Sequence, residues 1–475
     1  MLKIIIVINL ILILTIIIYE YKHPRFFIFW SLIIFCFSII GFGLYVVFGN
    51  KLKFKEQKII KQKKRYTKNY LIKTSWYKYY TKKQNVKYGK NKLNIIKFNE
   101  NKFNCKIWHD NKIIFFYEGE KFLNNLLHDI KNAKNSINLE FYIFSDDQTG
   151  KQVSDVLISK AKSGVTVNII YDAIGSKKTN KKFFNNMRKN GINVFPFFPS
   201  PLNLAFFNLK INYRNHRKIV VIDGSIGYVG GLNLRNDHMG KNKKVCPWRD
   251  THVKILGNAV YALQNIFLND FVYVSNNQIK KSDVEFYFPK ITSSGKQLVQ
   301  ILDDGPENDV AKIYISYLKI LSLAKKELII QTPYFIVNKK ILDKIIEIKQ
   351  NGTEVKIVIP GKPDKKIVYS ATLHCVKTLL KAGVEVYLYN GFIHSKVLIT
   401  ENCMSVGTVN FDYRSFNLNF EVTALIYDNK IIQNNIKKVR EDIINSQRID
   451  KKTFNKLYSK YRIRKIIYLI FSKIM

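Results

Sequence analysis

The sequence predicts an α/β protein in which a two-helix membrane hairpin precedes two copies of one α/β domain. Two long apolar runs open the chain, short β-rich runs alternate with helical stretches after them, and four segments recur in the same order. Apolar residues make up 47% of the 475 residues, enough for a large core. The predicted units are the hairpin (1–50), a basic aromatic segment (51–110), a first repeat (111–285), and a second repeat with a basic C-terminal tail (286–475).

The hairpin is predicted from two apolar runs. Ile4–Tyr19 is interrupted only by Asn9 and Thr15, and Phe26–Phe48 contains no charge. The second run is long enough to span a bilayer, and the first is slightly short. A cleaved signal peptide is the alternative for the first run. No A-x-A-like cleavage site follows it, however, and a second apolar run comes at once, so we expect a membrane hairpin.

Basic residues dominate the segment after the hairpin. Residues 51–83 carry thirteen Lys and Arg against the single acidic Glu56. Because positive loops stay on the cytoplasmic side, both termini and everything after residue 50 should face the cytoplasm. Tyrosines and Trp76 are interleaved with the lysines, which suits an anionic membrane surface, and a solvated linker is the alternative. The predicted location is the cell membrane, with two spans and the folded domains on the cytoplasmic side.

Charge and cysteine content narrow the function classes. The formal net charge is +43, from 78 Lys and Arg against 35 Asp and Glu. This excess implies an anionic partner, either nucleic acid or phospholipid headgroups, and charge alone does not choose between them. The five cysteines are scattered and form no CxxC pair, which argues against a disulfide framework or a zinc site and fits a reducing compartment.

The repeat is visible as four matched segments. The pairs are INLEFYIF (137–144) with LIIQTPYF (328–335), SGVTVNIIYDAIGS (163–176) with NGTEVKIVIPGKPD (351–364), NGINVFPF (190–197) with AGVEVYLY (382–389), and NHRKIVVIDGSIGYVGGLN (215–233) with IHSKVLITENCMSVGTVN (393–410). The first copy also has an apolar, proline-bearing insertion at 195–213. This insertion is either a lipid-contacting lip of a site or a packed loop between domains.

A His-x-Lys pair occurs at the same place in each copy. The two motifs are HRKIVVID (216–223) ending in GGLN (230–233), and HSKVLITE (394–401) ending in GTVN (407–410). On a strand, residues i and i+2 share one face, so His216 should point with Lys218 and His394 with Lys396. A single His-x-Lys pair occurs often by chance. Two pairs in matching strand–turn–strand contexts indicate a composite site.

These residue types suit phosphoryl transfer through a histidine. Two lysines neutralise the phosphodiester charge, one neutral imidazole attacks phosphorus, and the other serves as acid and then base. No metal or other cofactor is expected, because the lysines supply the positive charge. An imidazole nucleophile needs its second ring nitrogen held, and each copy offers a carboxylate on a following strand, Asp250 and Glu421; a surface or salt-bridged carboxylate is the alternative. His252 alternates with Asp250 and is interpreted as structural.

The motifs resemble the phospholipase D superfamily, whose signature is HxKxxxxD followed by a glycine and an asparagine, and most closely the bacterial cardiolipin synthases. The similar blocks are LEFYIFSDD (139–147), NHRKIVVIDG (215–224), PWRDTHVKILGNAV (247–260), QTPYFI (331–336), GFIHSKVLI (391–399) and VNFDYRSFNLNFEV (409–422). The resemblance covers essentially the whole chain. It implies two phospholipase D-like repeats sharing one active site, which would join two phosphatidylglycerols into cardiolipin, release glycerol and use no cofactor.

The resemblance also implies site residues. The catalytic set would be His216, Lys218, Asp223, His394, Lys396 and Glu401. The residues that bind phosphate or orient the histidines would be Asn233, Thr408, Asn410, Asp250 and Glu421. We expect His216 to be the nucleophile and His394 the acid and base. The expected partners are phosphatidylglycerol, other anionic phospholipids and the membrane, and no nucleic acid.

Two departures from the family pattern stand out. Glu401 replaces the usual aspartate, and the stretch from His394 to Asn410 is one residue shorter than its counterpart, which predicts a tighter hairpin turn. Glu401 has an odd offset from His394, so we expect it to face away from the site and to brace the hairpin or the domain interface. Gly231 also stands where the second copy has Thr408.

Other functions remain open at this stage. A related membrane phosphatidyltransferase, or a phospholipase D that uses water or another alcohol, would share every motif. A phosphodiesterase acting on nucleic acid would share the charge, but the hairpin argues against it. A catalytically inactive membrane scaffold is disfavoured because both His–Lys pairs are intact.

Overall fold

A computed structural model describes residues 2–20, 24–48, 60, 89–198, 213–242, 246–275, 283–291 and 294–461. Three predictions therefore fall wholly or largely outside the described residues. They are the membrane-surface role of the basic segment 51–83, the basic C-terminal tail after residue 461, and the lipid-contacting role of the insertion, of which 199–212 is not described.

Two helices precede the repeats, α1 (Leu2–Glu20) and α2 (Pro24–Phe48). They pack on each other through a small cluster that includes Ile16, Trp30 and Ile34. Across the part of the chain that the structure describes, no helix meets both the length and the hydropathy that a membrane crossing requires. The membrane hairpin stays a prediction.

The rest of the chain is mixed α/β. The further helices are α3 (Lys90–Phe103), α4 (Gly119–Lys131), α5 (Gln148–Lys162), α6 (Lys181–Lys189), α7 (Val260–Ser275), α8 (Asp283–Tyr287), α9 (Lys312–Ser322), α10 (Lys339–Gln350), α11 (Lys366–Lys381), α12 (Tyr413–Asn417), α13 (Asn429–Ile444) and α14 (Lys451–Lys460). The strands of the first repeat are β1 (Ile107–Phe116), β2 (Ser136–Phe141), β3 (Thr166–Asp172), β4 (Asn193–Phe197), β5 (Arg214–Asn215), β6 (Lys218–Ile222), β7 (Ile226–Gly230), β8 (Trp248–Arg249) and β9 (His252–Leu256). Those of the second are β10 (Gln297–Asp304), β11 (Glu327–Gln331), β12 (Phe335–Ile336), β13 (Glu354–Pro360), β14 (Glu385–Tyr389), β15 (Phe392–Ile393), β16 (Val397–Thr400), β17 (Met404–Gly407), β18 (Phe411–Asp412), β19 (Asn419–Ile426) and β20 (Ser446–Arg448).

The two repeats build the same sheet. The first has the strand order β1-β9-β7-β6-β2-β3-β4, and the second has β10-β19-β17-β16-β11-β13-β14 with β20 added at its edge. Antiparallel pairing of β1 with β10 joins them into one large sheet. Position by position, the seven strands correspond, so the internal repeat predicted from the matched segments is a repeat of structure.

Local sequence explains the elements of each repeat. Strands β2 (SINLEF) and β3 (TVNIIYD) pair in parallel and are buried on both faces. Two of their buried polar residues are paired with each other, since Asn168 Nδ2 donates to Asn138 Oδ1 at 2.8 Å. Helix α5 starts where the Asp147 carboxylate accepts the backbone N–H of Gly150, and the chain turns away at Gly164, whose φ of 87° suits a residue without Cβ.

Two predicted boundaries of the repeats fall inside elements of the structure. The predicted boundary after residue 110 cuts β1, so the first repeat begins by Ile107. The predicted boundary after residue 285 falls inside α8. Helix α3 lies within the range predicted for the basic aromatic segment and is folded onto the second repeat through Ile95 and Ile96.

The largest hydrophobic core spans the junction of the repeats. Helix α7 supplies much of it and is buried along most of its length. Phe197 and Phe198, at the start of the insertion, pack on Phe420 of the second repeat with ring centroids 5.0 and 5.6 Å apart. This end of the insertion is therefore a packed element between the repeats, and the junction is a continuous interior that can hold a buried site.

Candidate active site at the junction of the repeats

Each motif histidine is anchored to the other repeat through its backbone. The two-residue strand β5 pairs with β19, and the N–H of His216 donates to the carbonyl of Phe420 at 2.9 Å. In the second repeat, β15 pairs with β8, and the N–H of His394 donates to the carbonyl of Arg249 at 2.6 Å. These crossed pairings carry each histidine across the junction.

The carboxylates that hold the imidazoles are also crossed. His216 Nδ1 lies 3.0 Å from both carboxylate oxygens of Glu421, and His394 Nδ1 lies 2.7 Å from Asp250 Oδ2. Asp250 belongs to the first repeat and Glu421 to the second, so each histidine is held by the opposite repeat. Sequence predicted both carboxylates but did not say which histidine each would hold. The contact sets the tautomer: Nδ1 carries the proton, and Nε2 is left for chemistry.

The two lysines lie in the same buried cluster as the two histidines. Lys218 Nζ donates to the carbonyl of His216 at 2.7 Å, and Lys396 makes the matching bond to the carbonyl of His394. Both ammonium charges act on both imidazoles. The structure therefore brings the two predicted pairs into one site, as the composite-site prediction requires.

Burial governs the ionisation of this cluster. Desolvation lowers the pKa of His216 to about 4, although the Glu421 charge opposes the shift, and it also lowers the pKa of His394. Burial alone would raise the pKa of Glu421, but His216 and Lys218 together hold it below the usual range. Burial raises the pKa of Asp250 to about 6. His216 is thus neutral at pH 7, as a nitrogen nucleophile must be.

The lysines predict an alkaline limit to activity. Desolvation lowers the pKa of Lys218 to about 7 and that of Lys396 to about 8, against partial compensation by Glu421 and Asp250. Because a lowered lysine pKa means that the ammonium is lost early as pH rises, we expect kcat/KM to fall by at least about tenfold per pH unit above pH 8. A profile of kcat/KM from pH 6 to 10 checks this. A flat profile over that range would contradict the role of the ammonium charges.

Asp223 and Glu401, predicted in the catalytic set, lie at the far ends of their strands and bind backbone. The Asp223 carboxylate accepts the N–H groups of Lys134, Asn135 and Ser136 at 2.7–2.9 Å. The Glu401 carboxylate accepts the N–H of Lys325 at 2.9 Å, at the matching place before β11. Each carboxylate bonds the end of its strand to the backbone at the start of the neighbouring strand. This arrangement agrees with the bracing role expected of Glu401, and Asp223 has the same role.

The turn geometry explains why one motif uses Glu and the other Asp. Three residues separate the paired Ile222 and Ile226 in the first hairpin, starting with Asp223, whose φ of 48° Asp tolerates better than most residues. In the second hairpin, only Glu401 and Asn402 separate Thr400 from Cys403, whose carbonyl accepts the Thr400 N–H. The turn is one residue shorter, as predicted, and the longer side chain of Glu401 brings its carboxylate to the Lys325 N–H before β11.

The predicted orienting residues act on protein groups. The Thr408 hydroxyl donates to the Glu421 carboxylate, so it helps to hold the carboxylate that holds His216. The first repeat has no space for such a hydroxyl, because a Cβ on Gly231 would lie 2.0 Å from Asp250 Oδ1. Thr408 with Glu421 in the second repeat, and Gly231 with Asp250 in the first, thus occupy equivalent places beside the two histidines.

The two signature asparagines are buried and support loops. Asn233 Oδ1 accepts the N–H of Ile143 at 3.1 Å, and the Asn410 backbone N–H donates to Ser415 Oγ at 3.2 Å. Phosphate binding by either asparagine stays a prediction. His252 is fully buried with its ring 4.3 Å from that of Phe122, in agreement with a structural role.

Several residues of the site were not found from sequence. His238 and Trp248 pack against His394, with ring centroids 4.9 and 5.2 Å from it, and Tyr142 packs against His216 at 5.0 Å. One signal was available: His238 follows Asn233 by five residues, as Ser415 follows Asn410. Arg217, inside the first motif, is fully buried and pairs with Asp270 of α7. This ion pair fixes the first motif to α7.

One group of side chains could be considered for a metal. His238, Asp250 and His394 each place a potential ligand atom within 4.8 Å of the others. The donor set fits poorly, because Asp250 and His394 are bonded to each other and both ring nitrogens of His238 face N–H groups of Asn233. A ligating histidine needs its second N–H directed at an acceptor. We assign no metal here, and independence from metals and other cofactors stays a prediction.

Comparison with known proteins identifies the family. The model described as "Cardiolipin synthase, PLD-like domain" matches residues 126–268 and 317–443, one match in each repeat. The chain is 39% identical over 424 residues to the major cardiolipin synthase of Bacillus subtilis, covering 88% of this chain and 87% of that one. The chain belongs to the cardiolipin synthase family. The predicted resemblance and the predicted enzyme class, a phosphatidyltransferase of phospholipase D type, are confirmed.

Other relatives agree with this family. A cardiolipin synthase of Staphylococcus aureus is 38% identical over 471 residues, covering 96% of this chain and 91% of its own length. The crystal structure of phosphatidylserine synthase from Haemophilus influenzae matches the fold with a TM-score of 0.60 at 16% identity, covering 79% of this chain and all of that one. The fold is thus shared with a protein far from this cardiolipin synthase family in sequence.

Proposed function

We propose that this protein joins two phosphatidylglycerol molecules into cardiolipin and releases glycerol. The observation that carries the proposal is the crossed site, in which two His–Lys pairs from two repeats meet and each imidazole is held by the carboxylate of the opposite repeat. Two differently placed histidines suit a two-step exchange of one phosphodiester for another, which consumes no nucleotide.

In the first step, His216 Nε2 attacks the phosphorus of one phosphatidylglycerol. His394 enters this step as the imidazolium, with protons on both ring nitrogens, and Asp250 stabilises that cation. A P–N bond forms and the bond from phosphorus to the glycerol oxygen breaks, while His394 donates its Nε2 proton to the departing oxygen and becomes neutral. Glu421 stabilises the positive charge that develops on His216. Lys218 and Lys396 lie where they can neutralise the phosphoryl oxygens.

In the second step, a glycerol hydroxyl of another phosphatidylglycerol attacks the same phosphorus. His394 takes the proton of that hydroxyl, an O–P bond forms, and the P–N bond to His216 breaks. The buried position of both imidazoles limits access of water, which would otherwise yield phosphatidic acid. We place the enzyme at the cell membrane, with α1 and α2 as its anchor and the site on the cytoplasmic side, where anionic phospholipids supply both substrates.

Incubation of the full-length protein with phosphatidylglycerol vesicles alone tests the proposal. We expect cardiolipin and glycerol in a one-to-one ratio, because the exchange releases one glycerol for each cardiolipin formed. Lipids and glycerol are quantified separately over time. Release of phosphatidic acid without cardiolipin would contradict the proposal and favour a hydrolytic phospholipase D.

A chelator serves as the control in the same assay. We expect full activity after dialysis against a chelator, because the lysines supply the positive charge that a metal would provide. A strict requirement for a divalent cation would overturn the mechanism but not the substrate assignment.

A further inference from the structure

A third imidazole lies in the site. His238, in the short 3₁₀ turn Asn236–Met239, is buried between Trp248 and His394. Its ring centroid lies 4.3 Å from that of the Trp248 side chain and 4.9 Å from that of His394. The two imidazoles meet edge to face, with an interplanar angle of 88°. Phe392 completes this aromatic wall, 5.9 Å from His394.

His238 is itself fixed by one residue. Its Nδ1 accepts the backbone N–H of Asn233 at 3.2 Å, and its Nε2 lies 3.3 Å from Asn233 Nδ2. A neutral imidazole accepts at one ring nitrogen only, so one of these two contacts is a hydrogen bond. A protonated ring would accept at neither nitrogen, so the arrangement favours an uncharged ring. An uncharged ring that is fixed in this way can support the neighbouring His394 ring but is poorly suited to transfer protons.

We propose that His238 is a positioning residue that fixes the ring plane of His394. This inference rests on the proposed function, in which His394 Nε2 must meet first the departing oxygen and then the incoming hydroxyl. Asp250 holds His394 Nδ1 and so fixes one point of the ring. The edge-to-face contact with His238 opposes rotation about that point, which would turn Nε2 away from phosphorus. A misplacement of about 1 Å can cost about a hundredfold in rate.

The second repeat separates the two contacts that His238 makes. There Ser415 Oγ accepts the N–H of Asn410 at 3.2 Å, in the same way as His238 accepts that of Asn233. A hydroxyl is therefore enough to support the loop. The imidazole adds the ring contact, and that contact is made on the side of the site that holds His394.

Two substitutions separate positioning from loop support. His238→Ser keeps an acceptor for the Asn233 N–H, as in the second repeat, but removes the ring. His238→Phe keeps a ring of similar width but removes the acceptor. We expect the Ser variant to lose about 10–100-fold in kcat with KM unchanged within about twofold, and the Phe variant to keep kcat within about threefold of the unaltered enzyme. His128 is exposed, and His128→Ser is the matched control. Thermal unfolding shows whether each variant is folded at the assay temperature, and kcat is compared between folded proteins.

The results distinguish three roles for His238: positioning of His394, support of the loop, and proton transfer. A Ser variant with unaltered kcat overturns positioning and leaves loop support. Equal losses in both variants also overturn it, since both would then lack a ring nitrogen that takes part in proton transfer. A separate measurement tests the mechanism on which this inference rests. Substantial turnover in His394→Asn would contradict the two-histidine mechanism, whatever the His238 variants do.

Discussion

Replacing either His216 or His394 with alanine is expected to lower the rate of cardiolipin formation by at least about four orders of magnitude. The two histidines perform different tasks in both steps, one bonding to phosphorus and the other moving protons. Neither can replace the other, because each is fixed to its own carboxylate. The measurement is kcat with phosphatidylglycerol vesicles. A double variant should be no slower than the slower single variant, as expected for groups that act as a unit.

Alanine also leaves a buried carboxylate without its partner, so loss of folding must be separated from loss of chemistry. His216→Asn and His394→Asn address this, because the amide can donate to Glu421 or Asp250 from near the position of Nδ1 but cannot attack phosphorus or carry a proton. We expect both variants to melt close to the unaltered protein and to be inactive. His128→Ala, on the exposed side of α4, should keep full activity. Turnover above about 1% in either asparagine variant would disprove a two-histidine mechanism.

Local patterns in the sequence predicted a large part of this site. His216 and Lys218 were found because the i, i+2 spacing recurs in a second copy, and the same comparison identified the shorter turn at Glu401. These features depend only on residues near each other in the chain. The bracing role of Glu401 followed from its offset along the strand, and its bond to the Lys325 N–H agrees with it.

The crossing of the repeats was out of reach of such patterns. It depends on β5 and β15, which are two residues long and carry no periodicity. A strand pattern tells which face a side chain occupies, but not which strand of a distant repeat lies beside it. His238 was missed for a related reason, since it lies in a turn outside the matched segments and gains its place only when the junction forms.

Neutralising either crossed carboxylate should be nearly as damaging as removing a histidine. We expect Glu421→Gln and Asp250→Asn each to lower kcat by about 10²–10⁴-fold, because an amide cannot stabilise the imidazolium and allows the wrong tautomer. Asp129→Asn is the matched control: this carboxylate is also buried and pairs with Lys254 at 2.5 Å, away from the histidines. It should lower stability and leave kcat within about threefold. Full activity in Glu421→Gln would show that the contact with His216 has no catalytic role.

Double-mutant cycles on unfolding free energy can test the crossing itself. Residues in direct contact couple by about 0.5–3 kcal/mol, and residues that share only neighbouring charges should couple more weakly. Glu421→Gln should therefore couple more strongly with His216→Ala, in the other repeat, than with His394→Ala, in its own. Asp250→Asn should show the reverse preference, coupling more strongly with His394→Ala. If each carboxylate coupled instead with the histidine of its own repeat, the crossed site would be wrong. The crossed pattern would mean that neither repeat can assemble a working histidine alone, which gives a physical reason for two repeats around one phosphorus.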